Sequence, residues 1–265
     1  MLTKVARQKN LIVILSFILL VSFNTRANVK ASAKQSIYAV TELFYPFQQL
    51  DEDHRLIGYS VDVVRALSRL ANDELYIELL PWAVAYNKSL KHPNTMIFSI
   101  GKNAEREKLF HWVGRLTKEE LYFWALPNSH ITPSSIINDF KPFTITVVKE
   151  ATTHQYLRSN GFENLYVMGA TESNTGEEQR IEMVINGRAD IVISSQENMS
   201  DALSKLGYAP DVLTRVFRAS VLDSELYVAF GPETDTLIVE RYRNAYQQLR
   251  SSGEFNKIQK QWKIE

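Results

Sequence analysis

NTMIFSIGKNAEREKLFHWVG, residues 94–114, decides how this chain is read. Thr95 to Ile100 is a short apolar, partly β-branched run of the kind buried in a sheet, and it stops at Gly101. The turn Gly101-Lys102-Asn103-Ala104 leads into Glu105-Arg106-Glu107-Lys108, after which Leu109-Phe110 and Trp112-Val113 return to a core. Arg106 therefore stands just past the carboxyl end of a strand. Open α/β sheets bind ligands at that rim, and a guanidinium there can take a carboxylate through two parallel hydrogen bonds. The alternative is an ion pair with Glu105 or Glu107 on a wet surface, worth ~0–1 kcal/mol.

Upstream, Ser36 to Thr41 alternates like a strand, and Glu42 to Phe47 (ELFYPF) is an aromatic loop fixed by Pro46. Gly58-Tyr-Ser-Val-Asp62 opens a helix in which Val61, Val64, Leu67, Leu70 and Ala71 share a face, with Ser60 as its expected N-cap. Leu75 to Leu80 reads as a strand, and Pro81-Trp82 starts a helix with Trp82, Tyr86 and Leu90 spaced by four. Strands alternating with helices predict parallel strands joined by crossover helices, an α/β lobe. Downstream, Glu120 to Leu126 is expected to be a strand that leaves the first lobe. The pattern then restarts through Phe143–Val148, Thr152–Ser159, Leu165–Met168, Glu177–Ile185, Asp190–Ser194 and Glu197–Leu206. Glu225 to Phe230 returns, and two C-terminal helices, from Thr236 and from Glu254, close the chain. The expected organisation is residues 34–125 plus 228–265 as lobe one and 126–227 as lobe two. Two connecting strands between two lobes make a hinge.

Residues 1–33 are set apart. Lys4, Arg7 and Lys9 precede the apolar run Leu11 to Val21, too short for the ~20 residues a membrane span needs and of the right length for an export signal. Cleavage fits after residue 27 or after residue 33, and the expected location is the periplasm. The sequence has no cysteine, so neither disulfides nor thiolate metal sites are available to it. Residues 1–27 hold four basic residues and no acid, which leaves 26 basic against 30 acidic in the remainder, a net charge of −4. A mildly acidic chain without Lys/Arg blocks is a poor partner for nucleic acid or anionic lipid.

The segments Tyr45-Pro46-Phe47, Gly58-Tyr-Ser-Val-Asp62, Ala104-Glu-Arg106-Glu, Lys149-Glu-Ala-Thr-Thr153, Asn186-Gly-Arg-Ala-Asp190 and Ser252-Gly-Glu-Phe through Trp262 occur in this order. In them the chain resembles the extracellular solute-binding proteins of the amino-acid ABC importer type, family 3. The resemblance implies the two-lobed periplasmic-binding-protein fold (type II), α/β in both lobes. It implies that Arg106 clamps a ligand carboxylate with help from Ser99 and the Gly101 backbone, and that Thr152 and Thr153 offer N–H groups at a helix start. It implies that Phe44 or Tyr45 and Trp82 line the pocket, with plain core packing as the alternative for Trp82. The family's ammonium-binding aspartate corresponds here to Ser195, which cannot balance a buried positive charge, so the ligand departs from an ordinary α-amino acid unless Glu197 reaches the site.

His54, His92, His111, His130 and His154 show no metal-ligand spacing, and no P-loop, Gly-x-Gly-x-x-Gly or Gly-x-Ser-x-Gly stretch occurs. The adjacent acids Glu119-Glu120 and Glu177-Glu178 are expected to be solvated, and His154 to lie on a helix surface. The expected function is a monomeric, cofactor-free receptor that closes on a small carboxylate-bearing solute, an amino acid or a relative, and delivers it to a membrane ABC permease. The alternatives are a module feeding a membrane sensor, or an enzyme on the same fold using Glu150, Glu197 or His154.

Overall fold

The computed structural model describes residues 34–169 and 176–264. The export signal expected over residues 1–33 lies outside them.

The first sheet is built around β5 (Thr95–Gly101), the strand of the opening stretch, buried at every position. Its parallel neighbour β1 (Ser36–Thr41) is flanked by β4 (Glu74–Leu79), and on the other side β12 (Ser224–Phe230) runs antiparallel between β5 and β6 (His111–Glu119). Two-residue strands β2 (Gln49–Leu50) and β3 (Leu56–Ile57) form a small hairpin beside it. Helix α1 (Tyr59–Ala71) buries Val61, Val64, Leu67 and Ala71, the face expected from its spacing. Its N-cap is Gly58, not Ser60. A Cβ at Gly58, whose φ is 137°, would stand 2.2 Å from the Phe47 carbonyl oxygen, so only glycine lets the chain enter the helix this close to the aromatic loop. Ser60 is instead fully buried and its hydroxyl accepts from Ser99 Oγ at 2.8 Å.

Helix α2 (Trp82–Lys91) covers the other face of the sheet. The two C-terminal helices (Thr236–Ser251 and Glu254–Trp262) pack on the α1 side. Trp262 Nε1 donates to Asp62 Oδ2 at 2.8 Å, which ties the end of the chain to the first turn of α1.

The second sheet runs in the order β11 (Thr214–Arg218), β7 (Tyr122–Ala125), β10 (Ile191–Ser194), β8 (Ile145–Val148), β9 (Leu165–Met168), with β10, β8 and β9 parallel and β7 antiparallel. Helices α3 (Thr152–Ser159), α4 (Glu177–Ile185) and α5 (Gln196–Leu206) flank it, and the two C-terminal helices are accordingly α6 and α7. Apolar clusters fill both faces, one around Phe123, Phe140 and Phe217, the other around Trp124, Ile181 and Met199.

Sheet membership moves the expected lobe boundaries. Tyr122–Ala125 belongs to the second sheet and Ser224–Tyr227 to the first, so the chain crosses between Glu119 and Tyr122 and returns between Arg218 and Ser224. Four strands were not expected: the two-residue β2 and β3, and the longer β6 and β11. The exposure of β6 does not alternate, because bulges break its register against β12. β11 holds two arginines in five residues, yet Arg215 lies over the Tyr122 ring at 4.2 Å, so its guanidinium covers the edge strand as an apolar side chain would.

Candidate functional site

β5 delivers the site. Ser99 sits at φ 55°, a left-handed conformation rare outside glycine, and its hydroxyl is held between Gln48 Nε2 at 2.6 Å and Ser60 Oγ at 2.8 Å. That network fixes the strand end but leaves the Ser99 hydroxyl engaged with the protein. Gly101 is required by close approach: a Cβ there would lie 2.2 Å from Ser224 Oγ and 2.9 Å from Thr152 Cγ2, the latter in the second lobe.

The turn after Gly101 is closed by Asn103 Oδ1, which accepts from the Arg106 N–H at 2.8 Å. The Arg106 side chain turns inward and is only 1% exposed, so the surface ion pair with Glu105 or Glu107 does not form. Its Nη1 donates to Gly101 O at 2.9 Å in the first lobe and its Nη2 to Glu150 O at 2.5 Å in the second. The rings of Trp82 and Tyr86 stand 5.5 and 5.0 Å from the guanidinium carbon. Burial lowers its pKa to about 10, with Tyr86 and Glu150 opposing, and the group stays cationic at neutral pH. Its Nε is buried and has no hydrogen-bond partner among the described residues.

Glu150, at φ 64°, directs its carbonyl at the first lobe, where it also accepts from Trp82 Nε1 at 3.0 Å. Its N–H donates to His154 Nδ1 at 3.2 Å. His154 is therefore buried rather than on a helix surface, and burial together with Arg158 lowers its pKa. Thr152 and Thr153 occupy the first turn of α3, where the first intrahelical bond comes from Gln155 N, leaving their own N–H groups outside the helix ladder.

A cavity of about 110 Å³ lies between the lobes. The structure brings Phe44, Trp82, Ser99, Gly101, Arg106, Thr152 and Thr153 to its wall. It does not bring Tyr45 or Ser195 there. Tyr45 faces a neighbouring groove beside Lys205, and Ser195 is the N-cap of α5, its hydroxyl accepting from Asn198 N at 3.2 Å. Ser194, one residue earlier, lines the cavity instead.

Four charged residues on the wall were not anticipated: Glu42, Glu119, Glu177 and Arg180. Two of them belong to the acid pairs expected to be solvated. On the extended chain around β6 successive side chains diverge, so Glu120 is exposed while its neighbour Glu119 turns into the cleft. Glu177 is 2% exposed and pairs with Arg180, whose Nη1 also donates to Ile193 O at 3.2 Å. Glu42 and Glu119 keep part of their surface on the cavity but lie deep between the lobes. Burial pushes Glu42 up to about 8 against the pull of Arg180 and Arg106. Burial, reinforced by Glu42, Glu197 and Asp223, likewise pushes Glu119 up to about 8, with Arg180 opposing. Arg180 is lowered to about 10 by burial and supported by Glu42 and Glu119. The sequence signal for this set was the acid one residue after β1, Glu42, in a loop otherwise made of aromatic and aliphatic residues.

Two α/β lobes, two crossings and a charged cavity between them match a known family across the described chain. Residues 37–265 fit the family of bacterial extracellular solute-binding proteins, family 3. This chain is a member of that family. Among solved structures, it is similar to a histidine kinase sensor domain described as resembling periplasmic binding proteins, with a TM-score of 0.74 at 15% identity over 87% of this chain and 96% of the other. It is also similar to a variant of ArgBP from T. maritima, with a TM-score of 0.70 at 17% identity over 86% of this chain and 94% of the other. A third is a structure described under glutathione import via GshT and the cystine ABC importer TcyBC of Streptococcus mutans, with a TM-score of 0.69 at 17% identity, covering 86% and 94%. Comparison with curated proteins gives no match. At these identities the neighbours establish the fold, two lobes of the periplasmic-binding-protein kind.

Proposed function

We propose that this family 3 protein is an exported receptor that captures a small carboxylate-bearing solute, an amino acid or a relative, between its lobes and presents the closed form to a membrane partner. Residues 1–33 would direct its export to the periplasm, and the mature protein would act as a monomer without a cofactor. The observation that carries the reading is Arg106: a buried cation bonded to a carbonyl of each lobe, with Nε–H and the outer Nη protons left for a side-on, two-pronged hold on a carboxylate. The free N–H groups of Thr152 and Thr153 support the second oxygen from the opposite lobe.

Closure links the two halves of the site. The Glu150 carbonyl accepts from Arg106 and Trp82 only when the lobes are together, so a ligand that neutralises Arg106 stabilises the closed state, and the partner reads that state. An ABC permease is the partner we favour, in keeping with the importer named for the S. mutans neighbour. A membrane sensor is the second reading, in keeping with the histidine kinase sensor domain. Of the three groups considered for an enzyme, Glu150 and His154 are bonded to each other through N–H and Nδ1, and neither they nor Glu197 line the cavity wall, which supports a binding role.

A thermal-shift panel of amino acids, polyamines and organic acids tests the receptor reading. Saturation at 100 times Kd contributes about 2.7 kcal/mol, a rise of roughly 5–10 °C for a chain of this size. Shifts confined to polyamines lacking a carboxylate would refute it.

A further inference from the structure

Two first-lobe donors, Arg106 Nη2 and Trp82 Nε1, cross the cleft to a single atom, the carbonyl oxygen of Glu150. An uncommon backbone aims that carbonyl. Ala151 N donates to Val148 O at 3.1 Å, closing a four-residue turn in which Glu150 takes φ 64°, the left-handed region that turns ordinarily give to glycine or asparagine. A glutamate stays there only when its surroundings hold the peptide plane. Here the Glu150 N–H donates to His154 Nδ1 at 3.2 Å. His154 is the third residue of α3, so its ring reaches back past the N-cap Ala151 as the third residue of a capping box does, one position further than usual. A backbone N–H can only donate, so Nδ1 carries the lone pair and the imidazole is the neutral Nε2–H tautomer. Protonation would set a second N–H against the first and free the plane.

We propose that His154 is a positioning residue: its neutral imidazole aims the Glu150 carbonyl across the cleft, and its protonation lets that carbonyl go and weakens the hold on the solute, so affinity falls in acid. The inference rests on the reading of Arg106 given above. At neutral pH the surroundings keep the ring uncharged. Burial lowers its pKa below 6.5, Arg158 on the same helix and Lys149 in the turn add to this, and Glu150 opposes. The short Ser220–Leu222 turn packed against α3 carries no titratable group. From the first lobe, the turn after β5 brings Glu105, which accepts from Ser159 Oγ at 3.3 Å, and Arg106 on the Glu150 carbonyl. Proton and solute therefore oppose one another, each lowering affinity for the other by the same factor. Below the titration point of His154 the loss can reach roughly tenfold per pH unit.

Two measurements test this, the first without any solute. In nitrogen-15 NMR spectra of the unaltered protein, the His154 ring should be the Nε2–H tautomer at pH 7 and titrate below pH 6.5, and the Trp82 indole N–H resonance should shift with the same midpoint. In His154→Asn, whose Oδ1 can accept from the Glu150 N–H but takes up no proton, the Trp82 resonance should hold still from pH 7 to pH 4.5. The second is isothermal titration with L-glutamine, L-arginine and L-lactate, whose carboxylates stay largely ionised over that range. A solute that binds should lose at least about fivefold in affinity from pH 7 to pH 4.5 in the wild type, stay within about twofold in His154→Asn, and bind His154→Ala weakly at both. An Nδ1–H or charged ring at pH 7 would overturn the proposal, as would a Trp82 shift or an acid loss of affinity that persists unchanged in His154→Asn. Should none of the three solutes bind while the Trp82 shift still follows His154, the carboxylate reading of Arg106 would fall and the aiming of Glu150 by His154 would stand.

Discussion

Replacing Arg106 by alanine separates its two roles, holding the solute and holding the lobes. In the bound state the guanidinium would be a fully desolvated partner of a carboxylate, and removing one member of such a pair costs about 3–5 kcal/mol, or a roughly 150- to 5000-fold loss of affinity. The ligand-free protein loses two hydrogen bonds, to Gly101 O at 2.9 Å and Glu150 O at 2.5 Å. It is also relieved of burying an uncompensated cation. Glu150 O keeps Trp82 Nε1 at 3.0 Å, so Gly101 O is the acceptor left without this partner, at a cost of about 1–3 kcal/mol before the relief is counted. The net change in the ligand-free melting temperature should therefore be no more than about 12 °C at the 2–4 °C per kcal/mol of a chain this long. Isothermal titration with the solute found in the panel gives the first quantity, and calorimetry of the free protein the second. An alanine variant that binds within about fivefold of the wild type would refute the clamp, whatever its stability.

Three other expectations follow from the same geometry. Gly101→Ala places a methyl group against Ser224 Oγ and Thr152 Cγ2, so closure should be strained by about 1–3 kcal/mol and titration should show a roughly 5- to 150-fold weaker ligand, with the melting of the free protein little changed. Asp73 is buried at the opposite end of the first sheet from the cleft, accepting from Arg241 Nε at 3.1 Å, Arg241 Nη2 at 2.8 Å and Gln35 N at 3.1 Å; Asp73→Ala should cost about 3–5 kcal/mol in urea unfolding and leave ligand affinity unchanged. Because the folded-state pKa values of Glu42 and Glu119 lie above their unfolded value of 4.5, the stability they contribute is present in acid and lost as pH rises toward about 8, so the ligand-free melting temperature should fall over that window and the fall should flatten in Glu42→Gln and Glu119→Gln. An unchanged slope in both variants would refute the assignment.

The framework was legible in the sequence because it depends on local signals. The apolar run ending at Gly101, the spacing of Val61, Val64 and Leu67, and the turn that carries Arg106 each lie within a single element or its edge. Sheet edges were less legible, since β6 is bulged and β11 carries its arginines over aromatic rings, and neither shows clean alternation. The cavity acids were illegible for a different reason. Glu42, Glu119 and Glu177 are far apart in sequence and meet only because the chain crosses twice between the lobes. Glu119 and Glu177 each follow or precede a second acid, a pattern that ordinarily marks a solvated surface. Ser195 was misplaced by one residue for a local reason: the end of β10 turns Ser194 into the cavity and leaves Ser195 to begin α5.

The most direct test of the account compares one bound solute with its primary amide, the same molecule without the negative charge, in wild type and in Arg106→Ala. If a guanidinium in the interlobe cleft holds a carboxylate, the amide should bind the wild type at least about 100-fold more weakly than the acid, and the variant should scarcely distinguish the two. Equal affinity of acid and amide for the wild type would contradict it.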